Sequence, residues 1–286
     1  MIGDSKTQFP RAFEYPCVLA IAGSDSSGGA GIQADLKTFS ALGCYGMTAI
    51  TALTAQNTQG VRSIHAVPPK MLWDQIDAVM DDIGAHAVKI GMLQTPEVVQ
   101  TVADAIDHHA LENIVLDPVM VATSGSVLID SPAIVVLVRE LFSRALVITP
   151  NLDEAALLVG RALHDERDME AAAHELLAMG ARAVLLKGGH LPGNQVSDLL
   201  LLKGGTPHWM RASRIHTPNT HGTGCTLSSA IAAHLALGSG LLDAVEASRR
   251  YVRAALQAGS QVRAGAGSGP LNHGHGPVAM HLKPLR

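Results

Sequence analysis

The sequence has few aromatic residues and no basic stretch, and each shortage argues against a nucleic-acid partner. Phe, Trp and Tyr make up 3% of the 286 residues, too few to build the stacking surfaces that bind single strands. Lys and Arg number 21 against 25 Asp and Glu, so the net charge is -4, without the basic patch that phosphate backbones require. We therefore expect no nucleic-acid partner.

The sequence also lacks long apolar runs and any cysteine framework. A His, a Gly or a charge interrupts every candidate for a run of about 18 apolar residues, so no membrane span is expected. Residues 1–15 carry charges and no apolar core, and we predict an N-terminal tail rather than a signal peptide. The three cysteines, Cys17, Cys44 and Cys225, contain no CxxC pair, which favours a reducing, cytoplasmic setting.

Short apolar runs alternate with amphipathic segments from Cys17 onward. The runs predict strands over 17–22, 46–54, 88–90, 113–116, 146–148, 183–186, 196–202 and 208–210. Spacing and capping signals predict helices over 32–42, 69–83, 133–141, 169–179, 226–237 and 241–258, with others beginning near 95 and after 151. This alternation is typical of an α/β fold with a mostly parallel sheet and helices on both faces, here with a small β excursion at 196–210. No long linker interrupts it, so one domain is predicted over residues 16–286.

Polar and glycine-rich segments follow the predicted strands one after another. Ligands of such folds bind at the carboxyl ends of the strands, so these segments predict a single site. They are residues 23–31, 55–57, 91–92, 117–120, 149–151 and 187–189.

A run of small residues, Gly222, Thr223, Gly224 and Cys225, leads directly into a predicted helix. Free N–H groups at a helix start bind anions, and glycines let a ligand approach the backbone. A plain helix start with turn glycines is the alternative. The positive helix end is expected to lower the pKa of Cys225 below its usual value of about 8.5, although a free cysteine is more often a small buried apolar group.

Three polar residues near the predicted strand ends suggest phosphate and metal chemistry. Lys187 ends a buried strand, where a phosphate would offset its desolvation; a lysine that reaches the surface is the alternative. Asn151 and Glu154 are spaced so that a carboxylate could hold Mg²⁺ in the first turn of a helix. The same spacing is a capping box, which is the simpler interpretation.

Two other side chains indicate what kind of ligand could bind, whereas the histidines do not match the spacing of metal ligands. The amide of Gln56 can both donate to and accept from an aminopyrimidine edge, and Asp35 could accept from a substrate hydroxyl, although a solvated charge is the simpler interpretation. His108-His109, like His273, His275 and His281, matches no ligand spacing, and we predict no zinc site. Neither GxGxxG nor a Gly-Lys pair occurs, which excludes the dinucleotide fingerprint and the Walker A loop.

The stretch from Ile21 to Lys37, IAGSDSSGGAGIQADLK, resembles the hydroxymethylpyrimidine/phosphomethylpyrimidine kinases of thiamine biosynthesis. Further matching segments occur in order along most of the chain, and many long motifs in one order are far more specific than any short pattern. They are residues 49–58, 89–93, 117–120, 149–155, 186–190 and 219–226.

The resemblance implies a ribokinase-like fold, a homodimer, and MgATP-dependent phosphorylation of 4-amino-5-hydroxymethyl-2-methylpyrimidine and then of its monophosphate. It places Gln56 and Asp35 in the pyrimidine pocket. The pocket lining would be Gly23, Ala30, Met92 and Val119, and the anion hole Gly222, Thr223, Gly224 and Cys225. Lys187 would steady the transferred phosphoryl group, while Asp117, Asn151 and Glu154 would organise Mg²⁺ and phosphate oxygens, Asp117 and Glu154 holding the ion directly or through water.

Two alternative functions remain open, and so does the identity of the general base. A pyridoxal kinase of the same fold would also accept a flat ring that carries a hydroxymethyl group. A non-catalytic pyrimidine-binding protein would need neither the 222–225 loop nor Lys187. Many related sugar kinases carry Asp at the position of Cys225, so the identity of the general base is undecided.

Overall fold

The structure, a computed structural model, describes residues 12–121 and 128–285. Its framework is a nine-stranded sheet with the order β10-β9-β8-β7-β6-β5-β2-β3-β4, and a separate two-stranded sheet pairs β1 with β11. The strands are β1 Phe13–Glu14, β2 Cys17–Asp25, β3 Tyr45–Asn57, β4 Gly60–Ala66, β5 Ala87–Ile90, β6 Ile114–Leu116, β7 Val147–Ile148, β8 Ala183–Leu186, β9 Gln195–Leu202, β10 His208–Ser213 and β11 Lys283–Pro284.

Eight helices lie within the described residues and cover both faces of the large sheet. They are α1 Gly31–Ala41, α2 Pro69–Asp82, α3 Pro96–His108, α4 Ser131–Leu141, α5 Leu152–Val159, α6 Glu166–Ala178, α7 Thr223–Ala236 and α8 Leu241–Gly259. None of these helices combines the length and the apolar character that crossing a membrane requires.

The six central strands are parallel, and their alternating side chains supply two cores. Leu19 and Ile21 of β2 pack on the face covered by α2 to α6, whereas Val18 and Ala20 pack on the face covered by α1, α7 and α8. Strands buried on both faces are mostly apolar, as predicted, although Lys89 of β5 is a buried charge among them. The predicted α/β class, its mostly parallel sheet and the β9–β10 excursion are confirmed.

The helix boundaries follow local capping chemistry. The hydroxyl of Thr95 accepts from the Val98 N–H at 3.4 Å, and Pro96 occupies the first turn of α3. Asp165 caps α6 in the same way. Gly160, with φ +73°, ends α5 in the left-handed conformation that glycine adopts without strain.

The structure differs from the sequence prediction mainly at the edges. The predicted strand 46–54 continues to Asn57 and turns back as β4, an antiparallel partner that the apolar pattern did not indicate. Phe13–Glu14, inside the predicted tail, pairs with Lys283–Pro284, while residues 1–11 of that tail lie outside the described residues.

The strand order reverses beside β2. The chain first adds β3 on one side of β2 and then β5 on the other, so the connections leave a crevice at the carboxyl ends of β2 and β5. Sheets of this kind bind ligands at such a switch point. Gly23–Asp25 are the last residues of β2, and Gly91–Met92 directly follow β5.

Candidate active site

A cavity of about 620 Å³ opens at this switch point. All but one of the residues predicted for the site contribute to its wall, although they come from distant parts of the chain. The predicted lining residues are Gly23, Ala30, Gln56, Met92, Asp117, Val119, Asn151, Glu154, Lys187, Gly222, Thr223, Gly224 and Cys225. The exception is Asp35.

The start of α7 forms one wall of the cavity. Thr223 is its first residue, and the N–H groups of Thr223 and Thr226 donate to Thr220 O and Gly222 O. Between them, the N–H groups of Gly224 and Cys225 donate to no backbone carbonyl among the described residues. Two free donors at the positive end of a helix can bind an anion such as a phosphate.

The environment of Cys225 differs from the prediction. Burial raises the pKa of the Cys225 thiol to about 11, and the nearby Lys89 only partly offsets this effect. The helix end therefore does not produce a thiolate, and the predicted lowering of the pKa is wrong. Desolvation and the nearby carboxylates of Asp35 and Asp117 oppose a charged sulfur more strongly than Lys89 favours one. Cys225 carries its proton at neutral pH.

Lys187 reaches the cavity from the end of β8. Its ammonium donates to Asp117 Oδ1 at 2.9 Å, and the Thr149 hydroxyl donates to the same oxygen at 3.1 Å. The Lys187 side chain is 14% exposed and that of Asp117 is 2% exposed. Burial alone would raise the pKa of Asp117, but Lys187 and Lys89 hold it below its ordinary value. A protein carboxylate thus occupies the position next to Lys187 that was predicted for a phosphate.

Asn151 and Glu154 form the capping box that was the simpler interpretation of their spacing. Asn151 Oδ1 accepts from the Glu154 N–H at 2.9 Å, and Glu154 Oε2 accepts from the Asn151 N–H at 2.8 Å. Burial raises the pKa of Glu154 to about 7; Lys187 lowers it and Asp117 raises it further. The capping role does not remove the carboxylate from the cavity, because Glu154 also lines the wall beside Asp117.

Asp35 lies behind the wall rather than in it. Its carboxylate accepts from Lys89 Nζ at 2.9 and 3.0 Å and from the Ser229 hydroxyl at 2.6 Å, and its side chain is fully buried. The prediction that Asp35 lies in the pocket is therefore not met. Lys89, within β5, occupies the wall in its place. Sequence reasoning missed Lys89 because it reads as one charge inside an apolar strand.

The predicted pyrimidine pocket is narrow at Gly23. A Cβ atom at this position would lie 3.0 Å from the sulfur of Met92, so a side chain would displace the methionine. Gln56 lies near the end of β3, where it pairs with Val61 of β4, and it also lines the cavity. Its Oε1 accepts from the Thr54 hydroxyl at 3.1 Å.

Sequence reasoning also missed a buried contact between the loop after β2 and the loop before α7. The Asp25 carboxylate accepts from the N–H groups of Ser27, Gly29 and Ala30. It also lies 2.8 Å from His221 Nε2, and these hydrogen bonds hold the pKa of Asp25 at about 2 in spite of its burial. The two loops are far apart in the sequence, and no local pattern could reveal this pair.

Another part of the cavity wall combines apolar side chains with the charged side chains of Asp198, Arg214, Arg249 and Arg253. It was not predicted, because its residues come from β9, the segment after β10, α7 and α8 and share no motif. The apolar residues there are Val196, Ile215, Leu227, Val252 and Leu256.

Two solved structures that match this architecture are a phosphomethylpyrimidine kinase and a pyridoxal kinase. The chain matches the crystal structure of phosphomethylpyrimidine kinase from Clostridium difficile with a TM-score of 0.74 and 43% identity, over 83% of this chain and 97% of that one. It matches an ADP complex of pyridoxal kinase from Bacillus subtilis with a TM-score of 0.83 and 37% identity, over 91% and 98% of the two chains. Fold and site thus define a ribokinase-like small-molecule kinase.

Sequence comparison narrows this class. The family model described as phosphomethylpyrimidine kinase matches residues 25–272. The hydroxymethylpyrimidine/phosphomethylpyrimidine kinase of Rhizobium meliloti (strain 1021) is 51% identical over 258 residues, which cover 90% of this chain and 96% of the relative. The chain belongs to the phosphomethylpyrimidine kinase family.

Proposed function

We propose that this protein transfers a phosphoryl group from ATP to the hydroxymethyl group of 4-amino-5-hydroxymethyl-2-methylpyrimidine, and then phosphorylates the monophosphate to the diphosphate. The observation that carries the proposal is that one cavity joins the narrow Gly23–Met92 pocket to the free N–H groups of Gly224 and Cys225. Membership of the phosphomethylpyrimidine kinase family supports the choice of acceptor.

Gln56 and Met92 would recognise the pyrimidine. The Gln56 amide accepts from the exocyclic amino group and donates to the adjacent ring nitrogen. The Thr54 hydroxyl donates to Gln56 Oε1 and leaves one lone pair of that oxygen for the substrate. The hydroxymethyl group then points toward the start of α7, while Gly23, Ala30 and Val119 fit the ring.

The start of α7 and Lys187 would stabilise the phosphoryl group in transit. Phosphoryl transfer demands mainly positioning and charge stabilisation from the protein. The N–H groups of Gly224 and Cys225 provide fixed donors. Lys187 leaves its hydrogen bond with Asp117 or shares it with a phosphate oxygen. The apolar side chains of Val252 and Leu256, which also line the cavity, would pack against a purine base.

The carboxylates fit Mg²⁺, an ion that prefers oxygen ligands and organises phosphate oxygens when bound. Asp117 and Glu154 line the same wall, and the proximity of Asp117 contributes to the raised pKa of Glu154. Two close carboxylates with one partly exposed lysine leave negative charge that a divalent cation neutralises. Asp117 and Glu154 would hold the ion directly or through water, and Asn151 would orient Glu154.

Cys225 would take part without becoming a thiolate. Its proton stays on the sulfur at neutral pH because burial raises the pKa to about 11. The thiol then makes a weak hydrogen bond to the acceptor hydroxyl and holds it in line. A loose transition state needs little early deprotonation of the nucleophile, so a strong base at this position is not required.

Pyridoxal phosphorylation is the second candidate activity. The Bacillus subtilis pyridoxal kinase superposes with a TM-score of 0.83, against 0.74 for the phosphomethylpyrimidine kinase of Clostridium difficile. Pyridoxal also presents a flat ring with a hydroxymethyl group. We place it second because the family model and the relatives reported above point to the pyrimidine.

Product analysis tests the proposal directly. The purified protein is incubated with MgATP and either hydroxymethylpyrimidine or pyridoxal, and the products are identified by mass spectrometry over time. We expect pyrimidine monophosphate first and diphosphate later, with a higher kcat/KM than for pyridoxal. Faster turnover of pyridoxal would assign the second candidate, and ATP-independent binding of either compound without turnover would identify a binding protein.

We also propose a cytoplasmic homodimer in which residues 16–286 act as one domain. Phe13, Tyr15 and Tyr45 are 55%, 45% and 40% exposed near the β1–β11 sheet, and a second copy would cover them. Light scattering coupled to gel filtration tests the dimer, and fractionation of the source cells tests the location. A monomer at micromolar concentration would contradict the dimer.

A further inference from the structure

Two histidines at the end of α3 face an aspartate of α2. His108 is the last residue of α3, His109 follows it, and Asp77 lies on α2. One ligand atom from each of these three side chains lies within 4.8 Å of the others. None of the three lines the active-site cavity, and α2 and α3 pack on the sheet face opposite to α7.

The His109 side chain lies close to Asp77 and yet makes no hydrogen bond with it. His109 Nε2 is 3.3 Å from Asp77 Oδ1, and the His109 side chain is 9% exposed. Within the part of the chain that the structure describes, Nε2 has no hydrogen-bond partner. A buried polar nitrogen without a partner is costly. The two atoms are close together but not aligned as donor and acceptor.

This separation suits a shared metal ion. Two ligand atoms 3.3 Å apart, each about 2.1 Å from one ion, enclose an angle of about 104°, close to the tetrahedral value. His108 is exposed, and a rotation of its ring brings a nitrogen to the third position. Water fills the fourth, because Asp77 and His108 both reach the surface.

We propose that Asp77, His108 and His109 form a site for a borderline transition-metal cation, with Zn²⁺, Co²⁺, Ni²⁺ or Cu²⁺ as possible occupants. Two imidazoles and one carboxylate suit these ions, whereas Mg²⁺ and Ca²⁺ prefer oxygen ligands throughout. A bound ion would join the carboxyl ends of α2 and α3. The sequence did not reveal this site because adjacent histidines match no ligand spacing and the third ligand comes from another helix.

The chain contains its own reporter for this site. Trp73 lies beside both histidines, with ring centroids 5.4 Å from His108 and 6.3 Å from His109. The sequence contains 2 tryptophans, so Trp209→Phe leaves Trp73 as the single one. Quenching of Trp73 by Co²⁺ or Cu²⁺ then reports on this site and not on ions in the active-site cavity.

The test uses full-length Trp209→Phe protein without an affinity tag, freed of metal by EDTA. Zn²⁺ is titrated by calorimetry and Co²⁺ by Trp73 quenching. In this background His109→Ala and Asp77→Asn are compared with His208→Ala, which removes a histidine 3.2 Å from Glu246 with no second histidine at that contact. Circular dichroism and melting in EDTA check that each variant is folded.

We expect one equivalent of ion that quenches Trp73 in the parent and in His208→Ala. Removal of a ligand should weaken binding at least about tenfold, since even outer-shell partners of metal sites have effects of that size. His109→Ala and Asp77→Asn should both show this loss. Equal affinity in Asp77→Asn and His208→Ala, or Co²⁺ binding that leaves Trp73 fluorescence unchanged, would overturn the proposal.

Discussion

Two lysine–aspartate pairs lie near the carboxyl end of the same parallel sheet, yet their surroundings differ. Lys89 and Asp35 are both 0% exposed and form two hydrogen bonds at 2.9 and 3.0 Å. Lys187 and Asp117 form one at 2.9 Å, and the Lys187 side chain is 14% exposed to the cavity. The Lys89–Asp35 pair has no solvent-exposed side-chain surface, whereas Lys187 can exchange Asp117 for a ligand in the cavity.

The pKa values follow this difference. Burial raises the pKa of Asp35 although Lys89 acts against it. For Asp117 the two lysines outweigh burial and lower the pKa. A buried pair must keep its partners, because removal of one leaves an uncompensated charge. We infer that the Lys89–Asp35 pair mainly fixes structure, whereas Lys187 is available for chemistry.

The largest effect is expected from Lys89→Met. Loss of this ammonium leaves Asp35 buried without its cation, and breaking such a pair costs about 3–5 kcal/mol. Urea unfolding should show this loss, and Lys89→Met/Asp35→Asn should recover part of it, since a neutral amide still bonds Ser229. Unfolding at the wild-type urea concentration would contradict a structural role for the pair.

Lys187→Met comes next and should act on rate. Loss of one preorganised donor to transition-state charge lowers kcat by about 10²–10³, while the KM for the pyrimidine changes little. Its unfolding free energy should fall less than that of Lys89→Met, because water can reach Asp117 through the cavity. A raised pyrimidine KM at constant kcat would instead make Lys187 a substrate-binding residue.

Gln56→Ala should weaken pyrimidine binding without the effects on stability or rate that are expected at the two lysine–aspartate pairs. The pyrimidine loses a hydrogen-bonded partner at its ring edge, which costs about 1–3 kcal/mol of binding. Steady-state kinetics should show the loss in the pyrimidine KM, with kcat and unfolding close to wild type. An unchanged KM would remove Gln56 from the pocket.

The smallest effect concerns Glu154, the second carboxylate beside Lys187. Its folded-state pKa is raised from 4.5 to about 7, so the protonated carboxyl stabilises the metal-free fold below pH 4.5 and this contribution is lost as the pH rises through 7. The slope is at most about 1.4 kcal/mol per pH unit. Unfolding in EDTA should depend less on pH in Glu154→Gln. Added Mg²⁺ should stabilise the wild type above pH 7, and equal stabilisation of Glu154→Gln would contradict Mg²⁺ binding by Glu154.

Sequence patterns predicted most of the sheet because its central strands are buried on both faces and therefore apolar. The strand 183–186 and the capping box at Asn151 and Glu154 show how far local signals reach. The β4 strand escaped because it lies at an edge, where Arg62 and His65 can face water. The sequence therefore predicted the central strands and the β9–β10 edge but missed the β4 edge of the sheet.

Most residues that line the cavity could be predicted from the sequence, but the ion pairs and pKa values of the site could not. Residues at strand ends converge because parallel strands end together, and this rule needs no knowledge of packing. The Lys89–Asp35 pair and the raised pKa of Cys225 depend on how deeply each group is buried, which only the packed fold determines. The Asp25–His221 contact joins residues 196 positions apart.

Gly222 touches the loop after β2 so closely that a Cβ atom there would lie 1.8 Å from the Gly29 carbonyl oxygen. Its φ of +82° also disfavours any side chain. The segment beside the pyrimidine pocket and the segment that would receive the phosphate are therefore held together by a backbone contact in addition to the Asp25–His221 side-chain contact. This backbone contact would set the distance between the pyrimidine and the phosphoryl group that it receives. A change of side chain around the ring would then alter which acceptor binds without altering this distance.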